Sequence, residues 1–128
     1  MLPDSELVAF VATTDIARAR AFYADVLGLT PTEDSPFACV FDANGTSVRV
    51  TPVRDHAPTP FTVLGWTVAD VAASVRDLVS RGVVFQRFDG MDQDELGVWT
   101  APGGDLIAWF KDPDGNVLSL TQFTGGRA

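Results

Sequence analysis

The chain repeats one order of predicted elements, and this internal repeat limits the possible folds more than any other feature of the sequence. Residues 15–17, Asp-Ile-Ala, recur 55 positions later as residues 70–72, Asp-Val-Ala. The segment 44–51 recurs 70 positions later as the segment 114–121, with the same Asn/Asp-Gly start and the same final Thr. The sequence therefore predicts two similar modules.

Module one, at about residues 5–53, has the pattern of a βαβββ unit. Residues 6–12 are apolar on both alternating faces, which is typical of a strand covered on both sides. Asp15 is a good N-cap for a helix whose apolar residues recur at helical spacing up to Gly28, a typical left-handed C-terminal stop. Further strands are predicted at 30–34, 37–42 and 46–53, with Asn44-Gly45 as a hairpin turn.

Module two, at residues 61–124, follows a Pro-rich linker at 54–60 and repeats this order. A strand is predicted at 61–68, and Asp70 is the predicted cap of a helix that ends at Gly82. The remaining predicted strands are at 83–88, 97–101, 105–111 and 117–123. A chain of 128 residues fits one domain, residues 1–128, of the α+β class.

Charge and composition limit the partners. Seventeen acidic residues against nine basic ones give a formal net charge of −8, which would repel a phosphate backbone, so no nucleic acid is expected. The single cysteine cannot form an internal disulfide, and the first residues lack the basic and apolar parts of a signal peptide. No apolar run approaches the ~20 residues of a membrane span. We expect a cytoplasmic protein without a membrane partner.

Two segments resemble one known family. Segment 15–29 ends in Phe-Tyr-x-x-x-Leu-Gly-Leu, and segment 109–118 contains the hairpin sequence Asp-Pro-Asp-Gly. Together with the two βαβββ modules, they make the chain similar to the vicinal oxygen chelate superfamily, which includes glyoxalase I, extradiol dioxygenases and bleomycin-resistance proteins. The resemblance implies a glyoxalase-like half-barrel with outer helices and a concave ligand cup. It also implies a homodimer.

The resemblance also indicates where the metal-dependent members hold their ligands. The corresponding positions here are Val8, Arg49, Val63 and Ser119. Valine has no donor atom, arginine is a cation, and a lone serine is a weak ligand. If the assignment of these positions were wrong by one residue, the ligand positions would be Ala9, Val48, Leu64 and Leu118, which are no better as metal ligands. The sequence therefore predicts no metal and no cofactor.

Strand alternation from these positions predicts the lining of the cup. The superfamily pattern also turns inward the residue ten positions before each last-strand ligand, which selects Cys39 and Trp109. The predicted ligand-binding residues are Val8, Phe10, Phe37, Cys39, Arg49, Thr51, Val63, Trp109, Ser119 and Thr121. The opposite, uniformly apolar set is predicted to lie under the helices: Leu7, Ala9, Val11, Val48, Val50, Leu64, Trp66, Leu118 and Leu120. An apolar lining with a few polar groups is typical of a small-molecule site.

Several of these side chains have two interpretations. Arg49 either anchors a carboxylate, phosphate or enolate of the ligand or pairs with one of the acidic residues, or its charge extends to the rim. Trp109 and Trp99 either stack on an aromatic ligand or belong to the core. Cys39 is either a nucleophile or a small apolar core residue. His56, in the linker, is either a solvated loop residue or a general base.

The leading hypothesis is metal-independent binding of a small organic molecule, as in the drug-sequestering members. The alternative is a glyoxalase-like lyase, isomerase or dioxygenase, with an unrecognised metal or with a metal-free acid/base site on Arg49, Ser119 and Thr121. The predicted lining has neither carboxylate nor histidine, which opposes this alternative. A third hypothesis is a structural or regulatory subunit whose cup is closed by side chains. The acidic segment 89–95 is either an exposed loop or a lid.

The charge of the ligand stays open at this point. The acidic composition favours a cationic molecule, whereas Arg49 favours an anionic one.

Overall fold

Two four-stranded sheets, each with its own helix, make up the part of the chain that the structure describes, residues 1–125 of a computed structural model. The chain divides into a first unit, Met1–Pro58, and a second unit that begins at Thr59. The predicted α+β class and the repeated order of elements are therefore confirmed. Within this described part, no helix is long and apolar enough to span a membrane.

Unit one contains a mixed sheet with one helical segment on one face. After a short 3-10 turn, Leu2–Asp4, its elements are β1 Val8–Thr13, α1 Ile16–Ala21 with a π-helical continuation Phe22–Val26, β2 Thr30–Ser35, β3 Ala38–Ala43 and β4 Thr46–Pro52. The strand order is β1-β4-β3-β2, and β1 runs parallel to β4 while the other pairs are antiparallel. Helix α1 packs on β3 and β4.

This helical segment begins and ends at the residues that the sequence predicted. The Asp15 carboxylate accepts a hydrogen bond from the Arg18 backbone N–H at 3.1 Å, which caps the first turn. Gly28 has a φ of +78°, the left-handed conformation that ends a helix at low cost. Tyr23 is fully buried against Phe41, with ring centroids 5.8 Å apart.

Unit two repeats this arrangement. Its elements are β5 Thr62–Thr67, α2 Val71–Ser80, β6 Trp99–Thr100, β7 Leu106–Lys111 and β8 Val117–Gln122. The strand order is β5-β8-β7-β6, again with one parallel pair, β5 with β8. Asp70 caps α2 through the Ala73 N–H at 3.0 Å, and Gly82 follows the helix with a φ of +95°. Helix α2 packs on β7 and β8.

The predicted strand at 83–88 is wrong. Phe85 makes a single bridge to Phe110, and the Gln86 N–H donates to the Trp109 carbonyl oxygen at 2.8 Å. The other end of the same edge of β7 pairs with β6 instead. Because two short segments share this edge, neither the apolar run 83–85 nor β6 forms a long strand.

The hairpins of the two units differ by one residue. In unit one, Ala43 pairs with Thr46 across the two-residue turn Asn44-Gly45, and both turn residues have positive φ. In unit two, the Asp112 N–H donates to the Asn116 carbonyl oxygen across a three-residue loop. The 70-residue offset therefore relates β4 to β8, whereas an offset of 69 relates β3 to β7.

The helix-facing set is mostly confirmed. Val11, Val48, Val50, Leu118 and Leu120 are all buried. Leu7 is an exception, because it precedes β1 and is 72% exposed.

Candidate functional site

The sheet of unit one has a face opposite α1, here called the open face of unit one. Strand register places four side chains in one row across it: Glu33 of β2, Val40 of β3, Arg49 of β4 and Phe10 of β1. Directly paired residues of neighbouring strands share a face, so these four side chains lie on the same side. Phe10 is 61% exposed, and Val8 is also exposed.

A depression of about 510 Å³ lies on the β1–β4 side of this unit. It is lined by Phe10, Val11, Ala12, Arg49 and Thr51. The lining residues include one arginine, one threonine and Phe10, whose ring is largely exposed. Apolar walls with a few polar groups are the usual composition of a small-molecule site.

Arg49 forms an ion pair with Glu33, with 3.9 Å between Nη1 and Oε2. Within residues 1–125, Glu33 is the only polar side-chain partner of the Arg49 guanidinium. The two side chains are 39% and 56% exposed. The prediction that Arg49 pairs with an acidic residue is confirmed by this contact, and Arg49 also lines the depression.

The placement of Cys39 on the ligand-binding face is wrong. Cys39 pairs with Val50, a helix-facing residue, and is fully buried. The residue that shares a face with Arg49 is Val40, because the shorter hairpin of unit one moves the register by one position and reverses the face. Burial raises the pKa of the Cys39 thiol, the nearby Asp34 carboxylate raises it further, and Arg20 opposes the change. A buried thiol with a raised pKa is a poor nucleophile.

The placement of Phe37 on the ligand-binding face by strand alternation is also wrong, because Phe37 is not part of a strand. It lies in the turn between β2 and β3, outside both strands, and is exposed. Its N–H donates to the Ser35 hydroxyl at 3.2 Å, which is a local turn contact. Alternation does not extend through a turn, because the chain reverses its direction there.

The face of the unit-two sheet opposite α2, here called the open face of unit two, carries an aromatic cluster. Trp109 pairs with Ser119, and Ser119 pairs with Gly65. The Trp109 ring contacts Phe88 edge to face, with centroids 5.5 Å apart, and lies 6.1 Å from the Trp99 ring. The indole Nε1–H of Trp109 donates to the Thr62 hydroxyl at 3.2 Å. This bond orients the half-buried indole.

Next to the aromatic cluster, Gly65 leaves space on this face for the side chain of Ser119. A Cβ at Gly65 would lie 2.8 Å from the Ser119 Oγ, so the serine side chain occupies the space that a larger residue would need. Ser119 is buried, and Thr121 pairs with Ile107 and Thr67 in the next row. Val63 is the additional residue at a bulge in β5, and it is exposed.

Sequence reasoning missed Glu33, Val40, Thr62 and Phe88. A register irregularity between Pro31 and Glu33 prevents simple alternation from reaching Glu33. The β5 bulge has the same effect on Thr62. Phe88 lies in an irregular segment, where no periodic signal exists. Glu33 therefore places a carboxylate on the ligand face, where the sequence predicted none.

The four positions that correspond to metal ligands do not fit a metal ion. Val8 and Val63 offer only hydrocarbon, Arg49 offers a cation, and Ser119 offers one hydroxyl packed on Gly65. Within residues 1–125, no group of three or more His, Cys, Asp or Glu side chains could hold a metal ion.

The segment 89–95 is part of a loop braced by Gln93. Its side-chain amide donates to the carbonyl oxygens of Gln86 and Gly97, at 3.0 and 2.8 Å, and accepts from the Phe88 N–H at 2.8 Å. His56 is half-buried and lies after β4, near the end of unit one.

The chain belongs to the glyoxalase/bleomycin resistance protein/dioxygenase superfamily, whose family model matches residues 7–120. No curated protein matches the sequence.

Solved structures show the same fold at low sequence identity. A superfamily member from Sphaerobacter thermophilus is 20% identical, with a TM-score of 0.73 over 96% of this chain and 100% of its own. A glyoxalase/bleomycin resistance protein/dioxygenase from Alicyclobacillus acidocaldarius is 18% identical, with a TM-score of 0.68 over 95% and 93% of the two chains. Lactoylglutathione lyase from Agrobacterium tumefaciens is 18% identical, with a TM-score of 0.67 over 98% and 99%.

Proposed function

We propose that the protein binds a small organic molecule on the open face of unit one and that no metal ion takes part. The depression beside Arg49 carries this proposal, because its volume of about 510 Å³ lies within the ~300–1,000 Å³ that is usual for ligand clefts. The exposed Phe10 ring forms its apolar wall. Burial of this ring by a ligand would be favourable, since it removes apolar surface from water.

The proposed binding residues of unit one are Val8, Phe10, Arg49 and Thr51. On unit two, the proposed contacts are Val63, Trp109, Ser119 and Thr121, on its own open face. There the aromatic cluster would favour a flat ring, because aromatic pairs gain energy beyond their buried area. Phe37 and Cys39 are left out of the proposed set for the structural reasons given above.

Two fluorescent dyes test the proposal: anilinonaphthalene sulfonate, which is anionic, and phenylnaphthylamine, which is neutral. Phe10→Ala should weaken the binding of both dyes about tenfold, because a large apolar contact is lost. Phe61→Ala is the matched control, since Phe61 is also 61% exposed but lies in unit two and outside the depression. Equal losses in both variants, or no binding of either dye to the unmodified protein, would refute the proposal.

Elemental analysis of protein purified without a chelator and without an affinity metal tests the metal-independent part. We expect less than stoichiometric zinc, iron, nickel and manganese. Native mass spectrometry of the same sample would reveal a bound organic molecule. A metal near one equivalent per chain would refute metal independence and favour an enzyme.

Glu33 favours a second candidate, a metal-free acid/base enzyme. Its carboxylate lies on the open face beside Arg49 and supplies a group that such chemistry needs. Against this, Glu33 is 56% exposed, whereas catalytic carboxylates are tuned mainly by burial. We expect no lactoylglutathione lyase activity with methylglyoxal and glutathione, with or without added zinc, nickel or manganese salts. Turnover that Glu33→Gln abolishes would replace the binding proposal.

The proposal also includes a homodimer in the cytoplasm. The exposed apolar residues Leu2 and Leu7, which lie outside the proposed binding set, support association, since exposed apolar surface is typical of interaction sites. Sedimentation equilibrium should give twice the 13.7 kDa mass of one chain. A monomer at all concentrations would exclude this part without affecting the ligand site.

A further inference from the structure

The ion pair between Glu33 and Arg49 spans an intervening strand. Glu33 lies on β2 and Arg49 on β4, with Val40 of β3 between them in the same row. Neighbouring strands are about 4.8 Å apart, so the two backbones are separated by about 10 Å. The two charged side chains must therefore extend towards each other over Val40.

This contact is loose. Its 3.9 Å separation is longer than the ~2.8 Å of a charge-assisted hydrogen bond, and both side chains retain substantial exposure. Exposed ion pairs of this kind contribute little, because water screens the charges and the long side chains lose freedom. The guanidinium is thus neutralised but not tightly held.

The neighbouring acidic residue has a separate partner. Asp34 faces the helix side of the sheet with Cys39 and pairs with Arg20 of α1 at 3.4 Å. The two consecutive acids of β2 therefore neutralise two different arginines on opposite faces. Loss of the Glu33 charge would leave Arg49 without a side-chain counter-charge within the described residues 1–125.

Arg49 borders two regions of the same face. The Glu33 carboxylate is on the β2–β3 side, and the depression with Phe10 is on the β1–β4 side. An anion in the depression would lie beside Arg49 and compete with Glu33 for its guanidinium. A carboxylate or sulfonate there can form shorter, forked hydrogen bonds with arginine.

We propose that Glu33 is an internal competitor for Arg49, and that the ligand carries one anionic group that displaces the Glu33 carboxylate from the guanidinium. This inference rests on the proposed binding function and resolves the open question of ligand charge in favour of an anion. The ligand class is an amphiphile with a single negative charge and an apolar body that covers Phe10. Glu33 is then a specificity-determining residue, since a neutral molecule cannot replace its charge.

The same two dyes test this inference on the full chain. Glu33→Gln should lower the Kd of anilinonaphthalene sulfonate about threefold to fivefold, the gain expected when an exposed ion pair no longer competes. The Kd of the neutral phenylnaphthylamine should not change. Arg49→Met should weaken only the anionic dye, and Glu33→Gln should have no further effect in the Arg49→Met background.

Asp34→Asn is the matched control. It changes the net charge by the same amount, and Asp34 is 55% exposed against 56% for Glu33, but it lies on the other face. Equal tightening by Asp34→Asn and Glu33→Gln would indicate a general charge effect and overturn the inference. An unchanged Kd in Glu33→Gln, or no binding of the anionic dye to this variant, would also overturn it. If the neutral dye binds normally in those cases, the proposed binding function stands and only the anion specificity fails.

Discussion

The two units have the same strand order, but their sheets have similar side chains on only one of the two faces. On the helix side, Phe41 of unit one and Phe110 of unit two are corresponding, fully buried aromatic residues. On the open side, unit one has Arg49 where unit two has Ser119. Phe10 of unit one likewise corresponds to Gly65. The difference shows that packing against a helix restricts residue choice, whereas the face turned away from the helix accepts different side chains.

The largest expected effects separate these two faces. Phe41→Ala and Phe110→Ala should each lower the free energy of unfolding by about 3–5 kcal/mol, because each leaves a cavity in a closed core. Trp109→Ala and Val40→Ala, on the open faces, should cost about 1–2 kcal/mol, since the remaining side chains and water can fill the space. Urea unfolding followed by circular dichroism measures all four values. Equal costs for Trp109→Ala and Phe110→Ala would place Trp109 in the core.

The hairpins provide the next contrast. The buried Asp112 carboxylate accepts from the Asp114 and Asn116 N–H groups, both at 2.9 Å, and from the Asn116 side-chain amide at 2.8 Å. Asp112→Ala should therefore cost about 2–3 kcal/mol, because buried donors lose a charged acceptor.

In unit one, the exposed Asp42 carboxylate accepts only the Gly45 N–H, at 3.0 Å, among its side-chain contacts in the described residues. Asp42→Ala should cost about 0.5–1 kcal/mol. Thermal unfolding of the two variants side by side is the measurement. Comparable losses would mean that the tight turn of unit one depends on its aspartate as much as the longer loop does.

A smaller loss of stability is expected from substitutions at Gly65 and Phe10, which occupy corresponding positions in the two units. Gly65→Ala should cost about 1 kcal/mol, because its new Cβ would lie 2.8 Å from the Ser119 Oγ. The cost should largely disappear in a Gly65→Ala, Ser119→Ala double variant, which removes the contacting atom. Phe10→Ala should change stability by less than about 0.5 kcal/mol, since the ring is mostly exposed. Additive costs in a double-mutant cycle would exclude a direct contact between Gly65 and Ser119.

The smallest expected effect concerns Cys39, whose counterpart in unit two is Ala108. The pKa of the Cys39 thiol is raised by burial, so folding favours the neutral thiol. This contribution is complete below the unfolded pKa and is lost as the pH rises through the higher folded pKa. The stability of the native protein relative to Cys39→Ala should therefore be constant near neutral pH and fall as the pH rises above about 8.5, the ordinary pKa of a cysteine thiol. A pH-independent difference, or rapid labelling of native Cys39 by a thiol reagent at neutral pH, would contradict this.

Most of the fold was predictable from local signals. Asp15 and Asp70 cap the helices, Gly28 and Gly82 follow them in the left-handed conformation, and Asn44-Gly45 forms the predicted turn. These features depend on interactions within a few residues, which a sequence displays directly. The prediction of a strand at 83–88 was wrong because an apolar composition does not indicate which strand edge is available for pairing. That edge, on β7, is shared with Trp99 and Thr100.

The candidate site was only partly predictable. Register confirms that Phe10 and Arg49 are neighbours on one face, and that Trp109 and Ser119 are neighbours on another. It removes Cys39 from the predicted lining and adds Glu33. Both changes come from single-residue irregularities, the shorter hairpin in one case and the register shift in β2 in the other.

The sequence by itself determined that this chain is a repeated βαβββ protein, because helix caps, turns and apolar periodicity are local properties that recur in both halves. The tertiary structure decided which side chains meet. Glu33 and Arg49 are sixteen positions apart in the chain and become partners only when two strands align on either side of a third. Strand side chains alternate between faces, so one added or missing residue moves a group to the other side of the sheet. The pairing of strands therefore determines the chemistry of the open face.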